Sequence, residues 1–580
     1  MSQTVTLEGA GKITLTDKSF MAQGGGGRIY RHKTDVVKIF LEPERELKAG
    51  MPDKLTALRT AIGKHPSIVA PKGLVYGDRN KPIGYYMPLV SDGKTITELA
   101  TNGSRTELGF GDAEALGLAE KMWQVVKHVH GCSPKIVMGD ANELNWLATW
   151  DAKAFKAWAI DVDAWALGPW NSIEKMMPSI VDNHTTGYSD KTDWFAWGIV
   201  SFLLLTGIHP YKGRLQGYHP MTGWQQRMKD NASVFAKGAV ATGARPMDAI
   251  PAKLMDWYRA TFQEGERSQP PSPLDKSVKA AKAALITRML VQATGGLVYE
   301  KLFEQAGNTA LRIWPNGTAL LANGNIIRIA DGRVLHTARS LDCAVVTQPD
   351  NSILVAELIG QQPTFTLLQP TGIATKVVSQ LQGEAWFATP TQLFIRQADK
   401  LTEVQLTVLG SLAYATAGIS IDVLPYATKW FDGAALMDVF GKHHLLLPTG
   451  QQGLAQMAVP ELDGKRVLNG FARQRLTIFT VLTKQGDYRR IELVFDKTFT
   501  RYTVVDEVVA TPNLNLTMLE NGTVVQMPED GKIIASLPFA KGSSATEVED
   551  KYLHSGMHLY NMGNKVAYVE SGAIWRMQIK

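Results

Sequence analysis

The chain is poor in the features that assign a protein quickly. Cysteine occurs twice in 580 residues, at Cys132 and Cys343, far apart and outside any CxxC or Cys/His pattern. A disulfide scaffold and a zinc site are therefore not expected. One-signed charge is scarce too: the formal net charge is +6, with no dense Lys/Arg tract and no interleaved basic-aromatic stripe. That gives no strong nucleic-acid signal. The longest apolar run, near residues 194–205, is too short, and too close to Asp193, to span a bilayer. The opening MSQTVTLEGAGKITL lacks a basic segment followed by an apolar core, so a signal peptide is not expected. A soluble cytoplasmic protein without membrane association is the expectation, and oligomeric state stays open. With 45% hydrophobic and 20% charged residues, the remainder is ordinary globular material able to bury large cores. Its length suggests roughly three to four domains.

What is present centres on residues 136–165, IVMGDANELNWLATWDAKAFKAWAIDVDAW. Asp140, Asn145 and Asp161 lie here, the last at the end of an apolar run, Trp158 to Ile160, that predicts a short buried strand opening into a loop. Phosphoryl transfer needs such a set. One carboxylate receives a hydroxyl proton, while an amide oxygen and a second carboxylate hold magnesium against phosphates. Asp and Asn are common in turns, so the surroundings decide whether the spacing means chemistry.

Upstream, residues 4–20 alternate apolar and polar as a strand does, and MAQGGGGRIYR, residues 21–31, precedes TDVVKIF. A glycine cluster between two strand-like runs predicts a hairpin whose backbone can approach a ligand closely. Its N–H groups suit phosphate oxygens, with Lys38 on the second strand as a cationic partner. On its own the cluster is equally a flexible hairpin tip. Residues 43–63 read as helical with a break at Gly50–Pro52, and 65–90 as two short strands joined by Gly77, Asp78 and Asn80. From Asp112 to His130 apolar positions recur with helical spacing. Further on, TDWFAWGIVSFLLLTG is apolar on every side and predicts a helix at the centre of a lobe. Asp193 near its start is placed to accept loop backbone N–H groups.

In this order the segments resemble the protein-kinase fold, and more closely the divergent bacterial and phage kinase-like proteins whose catalytic loop reads GDxNxxN. The resemblance covers about residues 15–275. It implies an α+β two-lobed unit over 1–275 (N-lobe about 1–90, C-lobe about 91–275), with ATP and Mg²⁺ as cofactors. It places Ala22, Gly24 and Gly27 at the glycine-loop positions, Ile29 over the adenine and Lys38 on the α/β-phosphates. Met87 becomes the gatekeeper, with Pro88, Leu89 and Val90 offering backbone to adenine. Asp140 becomes the catalytic-loop acid, Asn145 and Asp161 the metal ligands, Asp193 the brace of the catalytic loop, and Arg267 a structural partner of Asp182. The IDVD and GD segments are also similar to small-molecule phosphotransferases of the aminoglycoside and choline kinase type. The segment 192–213 favours the protein-kinase branch over them.

The departures are as informative. Met138-Gly139-Asp140 replaces His-Arg-Asp, so no arginine awaits an activation-loop phosphate, although Ser172, Ser179, Thr185, Thr186 and Ser189 could carry one. Asn142 stands where the family has a catalytic-loop lysine. Asp161-Val162-Asp163 replaces DFG, making Asp163 a further candidate metal or base carboxylate. No glutamate occupies the expected helix position after Lys38. Asp53 or Lys54 stands there, and Glu46 could reach from the preceding turn.

After a proline-rich stretch at 269–283, taken as the start of a linker (276–294), the texture changes to short β-like runs with turn pairs such as Asn316-Gly317, Asn323-Gly324 and Asn521-Gly522. They recur roughly every 40 residues, the length of a propeller blade. An all-β domain over 295–580 is expected, a six- or seven-bladed β-propeller with the strand near Trp575 closing the ring, or else paired β-sandwiches. No WD or kelch signature is present, and His443 and His444 read as strand or turn residues. The combined reading is an ATP-dependent Ser/Thr-type protein kinase whose propeller recruits a protein substrate or partner. The contrasting reading is a nucleotide-binding pseudokinase scaffold, and a small-molecule phosphotransferase ranks below both.

Overall fold

The computed structural model describes residues 2–150, 155–170, 176–275, 296–450, 453–529, 531–540, 545–554 and 556–579. The expected linker 276–294 and Ser172 lie outside them. The chain opens with β1 (Ser2–Leu7), β2 (Gly11–Thr16), β3 (Phe20–Gln23), β4 (Gly27–His32) and β5 (Asp35–Phe40), followed by helices α1 (Pro43–Lys48) and α2 (Met51–Ile62). Strands β6 (Gly73–Tyr76) and β7 (Pro82–Pro88) complete one antiparallel sheet ordered β2-β1-β6-β7-β5-β4-β3. The helical stretch breaks where expected. Gly50 adopts φ +72°, and a Cβ there would meet Trp170 Nε1 at 2.8 Å.

Alternation sets the faces of this sheet. Val37 and Ile39 of β5 join Val5, Leu7, Phe20 and Val75 in one apolar cluster. Phe40 and Tyr85 turn the other way, onto Leu55 of α2. Lys38, between Val37 and Ile39, shares the face of Phe40.

Next come β8 (Lys94–Thr95), α3 (Ile96–Leu99), α4 (Asn102–Leu108), α5 (Asp112–His130), β9 (Ile136–Val137), β10 (Trp146–Trp150), β11 (Phe155–Ala159), β12 (Ala166–Leu167), α6 (Asp190–Thr206), α7 (Trp224–Lys229) and α8 (Ala252–Phe262). Every residue of α6 from Thr192 to Thr206 is buried, as an all-round apolar helix requires. It packs on α5 and α8, and at Gly198 a Cβ would lie 2.8 Å from Trp257, so glycine permits the close crossing.

The C-terminal part is all β. Five four-stranded sheets and one eight-stranded sheet occur among its described residues. The eight-stranded sheet is two four-stranded meanders, 343–379 and 385–422, joined by parallel pairing at their outer edges. The last sheet takes three strands from 558–579 and its fourth from Leu297–Phe303, with Trp575 opposite Lys301. The two faces of a meander go to different neighbours. Leu311, Leu320 and Ile326 pack on Cys343, Val345 and Val355, while Ala310, Leu321 and Ile327 pack on Ala567, Val569 and Ile574. Similar clusters join the next meanders in turn until Val525 and Ile533 meet Tyr568 and Met577. The succession of cores thus closes on itself, and the Asn-Gly pairs 316–317, 323–324 and 521–522 lie at turns, each glycine at positive φ.

This all-β part touches the N-terminal part beside its sheet, beside its helices and at places between. Beside the sheet, Phe20 packs on Phe440 at 4.5 Å between centroids, Arg31 lies over Tyr426, and Lys18 pairs with Asp399 at 2.5 Å. Beside the helices, Lys212 donates to the Gly486 carbonyl at 3.0 Å and stands over the Tyr488 ring, and Trp224 Nε1 donates to Asp487 at 2.8 Å. Between them, the α4 region is held by Asn102 to Asn513 and Glu107 to Arg312.

Burial pushes the Lys212 ammonium down to about 8, outweighing the nearby acids Glu143 and Asp487. A lysine depressed on folding binds fewer protons folded than unfolded between about pH 8 and about pH 10.4, so its penalty fades as pH rises through that window. The gap in thermal midpoint between wild type and Lys212→Met is therefore expected to move in favour of wild type between about pH 7 and about pH 10. Thermal scans of the full chain check this, and a gap that is flat or moves the other way contradicts it.

Candidate functional site

Register places four side chains in one row. Ala22 of β3 lies opposite Ile29 of β4, Ile29 opposite Lys38 of β5, and Lys38 opposite Tyr85 of β7. Directly paired residues share a face, so all four look toward α2 and the helical part. The glycine hairpin hangs at the end of this row. Its turn is closed by the Gly24 N–H to the Gly27 carbonyl at 2.9 Å. A Cβ at Gly24, Gly25 or Gly26 would meet nothing within 4 Å, whereas one at Gly27 would lie 2.8 Å from the Ile39 carbonyl. Gly27 is thus demanded by the sheet itself, and the open part of the loop is 24–26. At the far end of β7, Met87 pairs with Val36, and Leu89 gives its N–H to the Thr34 carbonyl. Of the expected adenine-facing backbone, the Leu89 N–H is accordingly taken.

Lys38 is 7% exposed. Its Nζ donates to Asp161 Oδ1 at 2.7 Å and to both oxygens of Asp163, at 3.0 and 2.8 Å. The Tyr85 hydroxyl donates to Asp163 Oδ1 at 2.7 Å, and the buried Lys54 of α2 reaches the Asp163 carbonyl at 2.7 Å. Asp161 stands where β11 runs out, as the sequence suggests. It adopts φ +60° at the head of a short 3₁₀ turn, Val162–Ala164, a conformation Asp tolerates better than most residues. The open question of a partner for Lys38 has an answer here. The carboxylate beside Asp161 is Asp163, two residues on, while α2 contributes a lysine.

One close lysine serves two carboxylates, and they divide. Burial would lift Asp163, but the Lys38 charge and hydrogen bonds from Lys38 and Tyr85 hold it below the usual range. The charge of Lys38 draws Asp161 down, yet its partial burial and the neighbouring Asp163 carboxylate push it up to about 6. Burial works against the Lys38 ammonium, and the two carboxylates keep it well above its ordinary value.

The loop before β10 is built separately. Asp193, fully buried in α6, accepts from the N–H groups of Met138 at 2.8 Å and Gly139 at 2.9 Å and contacts His130 Nε2 at 2.9 Å. The expected brace is observed. Gly139, standing where an arginine would be, adopts φ +64°. Asn145 donates its side-chain Nδ2 to the Asp140 backbone carbonyl at 2.7 Å, and its backbone carbonyl accepts the Ile160 N–H at 3.0 Å. The Asp140 loop and the strand leading to Asp161 are therefore tied together. Burial raises the Asp140 carboxyl, partly offset by the Met177 N–H at 2.9 Å and by Asn142. Arg267 forks onto Asp182 at 2.6 and 2.8 Å, as anticipated. Ser179, offered as a modifiable hydroxyl, is instead buried and donates to Glu143.

Among the described residues, no group of three or more His, Cys, Asp or Glu is arranged to hold a metal unaided. Hard oxygen donors from Asp161 and Asn145 suit magnesium, which typically takes one or two protein ligands and completes its shell with phosphates and water. Sequence reasoning missed Tyr85 and the contact made by Lys54. The only signal for either was a polar side chain at a position whose periodicity pointed inward. No protein-family model and no curated protein matches the sequence.

Replacing Asp193 with Ala strands two buried loop N–H groups and His130. A loss of at least ~3 kcal/mol is expected, with a smaller loss for Asp193→Asn. Denaturant unfolding of the full chain reads both, and equal losses for the two would contradict the assignment of this carboxylate as the loop's acceptor.

Proposed function

We propose that the chain is an ATP-dependent, Ser/Thr-directed phosphotransferase of the protein-kinase type that takes magnesium with its nucleotide. On this reading residues 1–275 form the two-lobed kinase-like unit. The closed succession of sheets in 295–580 is a seven-bladed β-propeller that recruits a protein substrate or partner. The observation that carries the reading is the 2.7 Å contact between Lys38 Nζ and Asp161 Oδ1, 123 residues apart in sequence, beneath the open glycine hairpin.

The roles follow from chemistry. Lys38 orients the α/β-phosphates, the 24–26 backbone covers them, and Asn145 and Asp161 hold magnesium, which neutralises charge on the transferred group. Asp140 receives the acceptor hydroxyl's proton. Its burial raises its carboxyl above the ordinary value, which makes the ionised carboxylate a stronger proton acceptor.

A second reading, a nucleotide-binding scaffold, is favoured by one observation. An Asp140 oxygen is occupied by the chain's own Met177 N–H. Met177 and Leu144 in turn pack on Leu468, Leu482 and Tyr488 of the all-β part.

Two measurements separate these. Mg·ATP should raise the thermal midpoint of the full chain, because a ligand that binds the native state stabilises it. Phosphate incorporation should fall by ~100-fold or more in Asp140→Ala and in Asp161→Ala. A midpoint shift with no incorporation in wild type selects the scaffold, and variants that incorporate phosphate like wild type remove the catalytic assignment.

A further inference from the structure

We propose that Asp163 is the residue that positions Lys38 for the nucleotide, doing from the turn after β11 what a carboxylate on α2 would otherwise do. The inference rests on the phosphotransferase reading above and names what sets the readiness of that site.

Three observations carry it. First, the two carboxylates bind Lys38 differently. Asp163 uses both oxygens and its side chain is 12% exposed, while Asp161 uses one oxygen and keeps 41% of its side-chain surface open. The exposed carboxylate is free to exchange the ammonium for a metal ion, and the enclosed one keeps its grip. Second, Asp163 is itself fixed, its Oδ1 accepting from the Tyr85 phenol on the strand position directly opposite Lys38. Ammonium, carboxylate and phenol form a closed set across β5, β7 and the turn. Third, α2 presents Lys54 to this turn, and the Lys54 ammonium goes to the Asp163 carbonyl. The helix thus holds the turn by its backbone, and the turn holds Lys38 by its side chain. The registration of Lys38 then depends on the 161–164 turn, which α2 holds through Lys54.

The rival role for Asp163 is a second metal ligand, and the two differ in what they predict. If Asp163 acts through Lys38, the effects of removing both are not additive. Mg·ATP binding by the full chain, read by nucleotide-induced thermal shift and by titration with a fluorescent ATP analogue, is the measurement. Asp163→Asn is expected to weaken binding by about tenfold. Tyr85→Phe, which keeps every charge and guards against a variant that fails to fold, should weaken it by about threefold. In a Lys38→Met background neither change should weaken binding further. The magnesium concentration for half-maximal shift should rise in Asp161→Asn and stay at the wild-type value in Asp163→Asn. Additive losses, a raised magnesium requirement in Asp163→Asn, or wild-type binding by both Asp163→Asn and Tyr85→Phe would each overturn the inference and leave the phosphotransferase reading standing. A wild-type chain that binds no Mg·ATP overturns both.

Discussion

Two ammonium groups and two carboxylates meet beneath the N-terminal sheet, and much of the surrounding structure exists to make that tolerable. Removing an ion from water costs several kcal/mol unless charge and hydrogen bonds replace the solvent. Here Lys38 answers Asp161 and Asp163, Lys54 brings a second positive charge to the Asp163 carbonyl, and the Tyr85 phenol fills a remaining acceptor position. The four groups come from β5, α2 and the turn after β11. None of these elements can shift without leaving a buried charge unanswered, so the sheet, the helix and the turn are positioned as one body.

A second polar knot sets the other half of the site. A fully buried aspartate on a helix apolar on every side would be costly alone. At Asp193 it is supplied with two loop N–H groups and an imidazole, which fixes the backbone of Met138 and Gly139 and thereby the start of the Asp140 loop. Asn145 links that loop to the strand leading to Asp161. The C-terminal sheets contact the N-terminal sheet through Phe440 and the helical part through Gly486 and Asp487. They therefore span both sides of the site from outside, and Leu144, one residue before Asn145, packs on them.

Much of this was legible in the sequence where periodicity decides. The hairpin of glycines, the break at Gly50, the helix over 112–130, the all-round apolar helix and the recurring short strands with their Asn-Gly turns each follow from local pattern, because pattern specifies which face is buried. The Asp193 contacts were legible because an acid stood in a stretch that could not be solvated, whereas the Arg267–Asp182 fork followed only from the resemblance to protein kinases. What pattern does not specify is the partner across the fold. Lys54 reads as an ordinary helix lysine until α2 is packed against the turn that follows Asp161. Tyr85 reads as strand filler until register places it opposite Lys38. Gly27 reads as part of a ligand loop, yet a neighbouring carbonyl accounts for it. The contacts of Lys212 with Gly486 and Tyr488 join segments 274 residues apart in the chain, and nothing in either segment announces the other.

The central claim is that Asp161 and Asn145 hold one nucleotide-bound ion below the glycine hairpin while Lys38 meets the phosphates of the same nucleotide. A crystal structure with a non-hydrolysable ATP analogue and magnesium tests it most directly. The account predicts a metal ion shared by Asp161 and Asn145, with Lys38 on an α- or β-phosphate oxygen and still held by Asp163. A nucleotide bound elsewhere, or a metal that touches neither Asp161 nor Asn145, would contradict it.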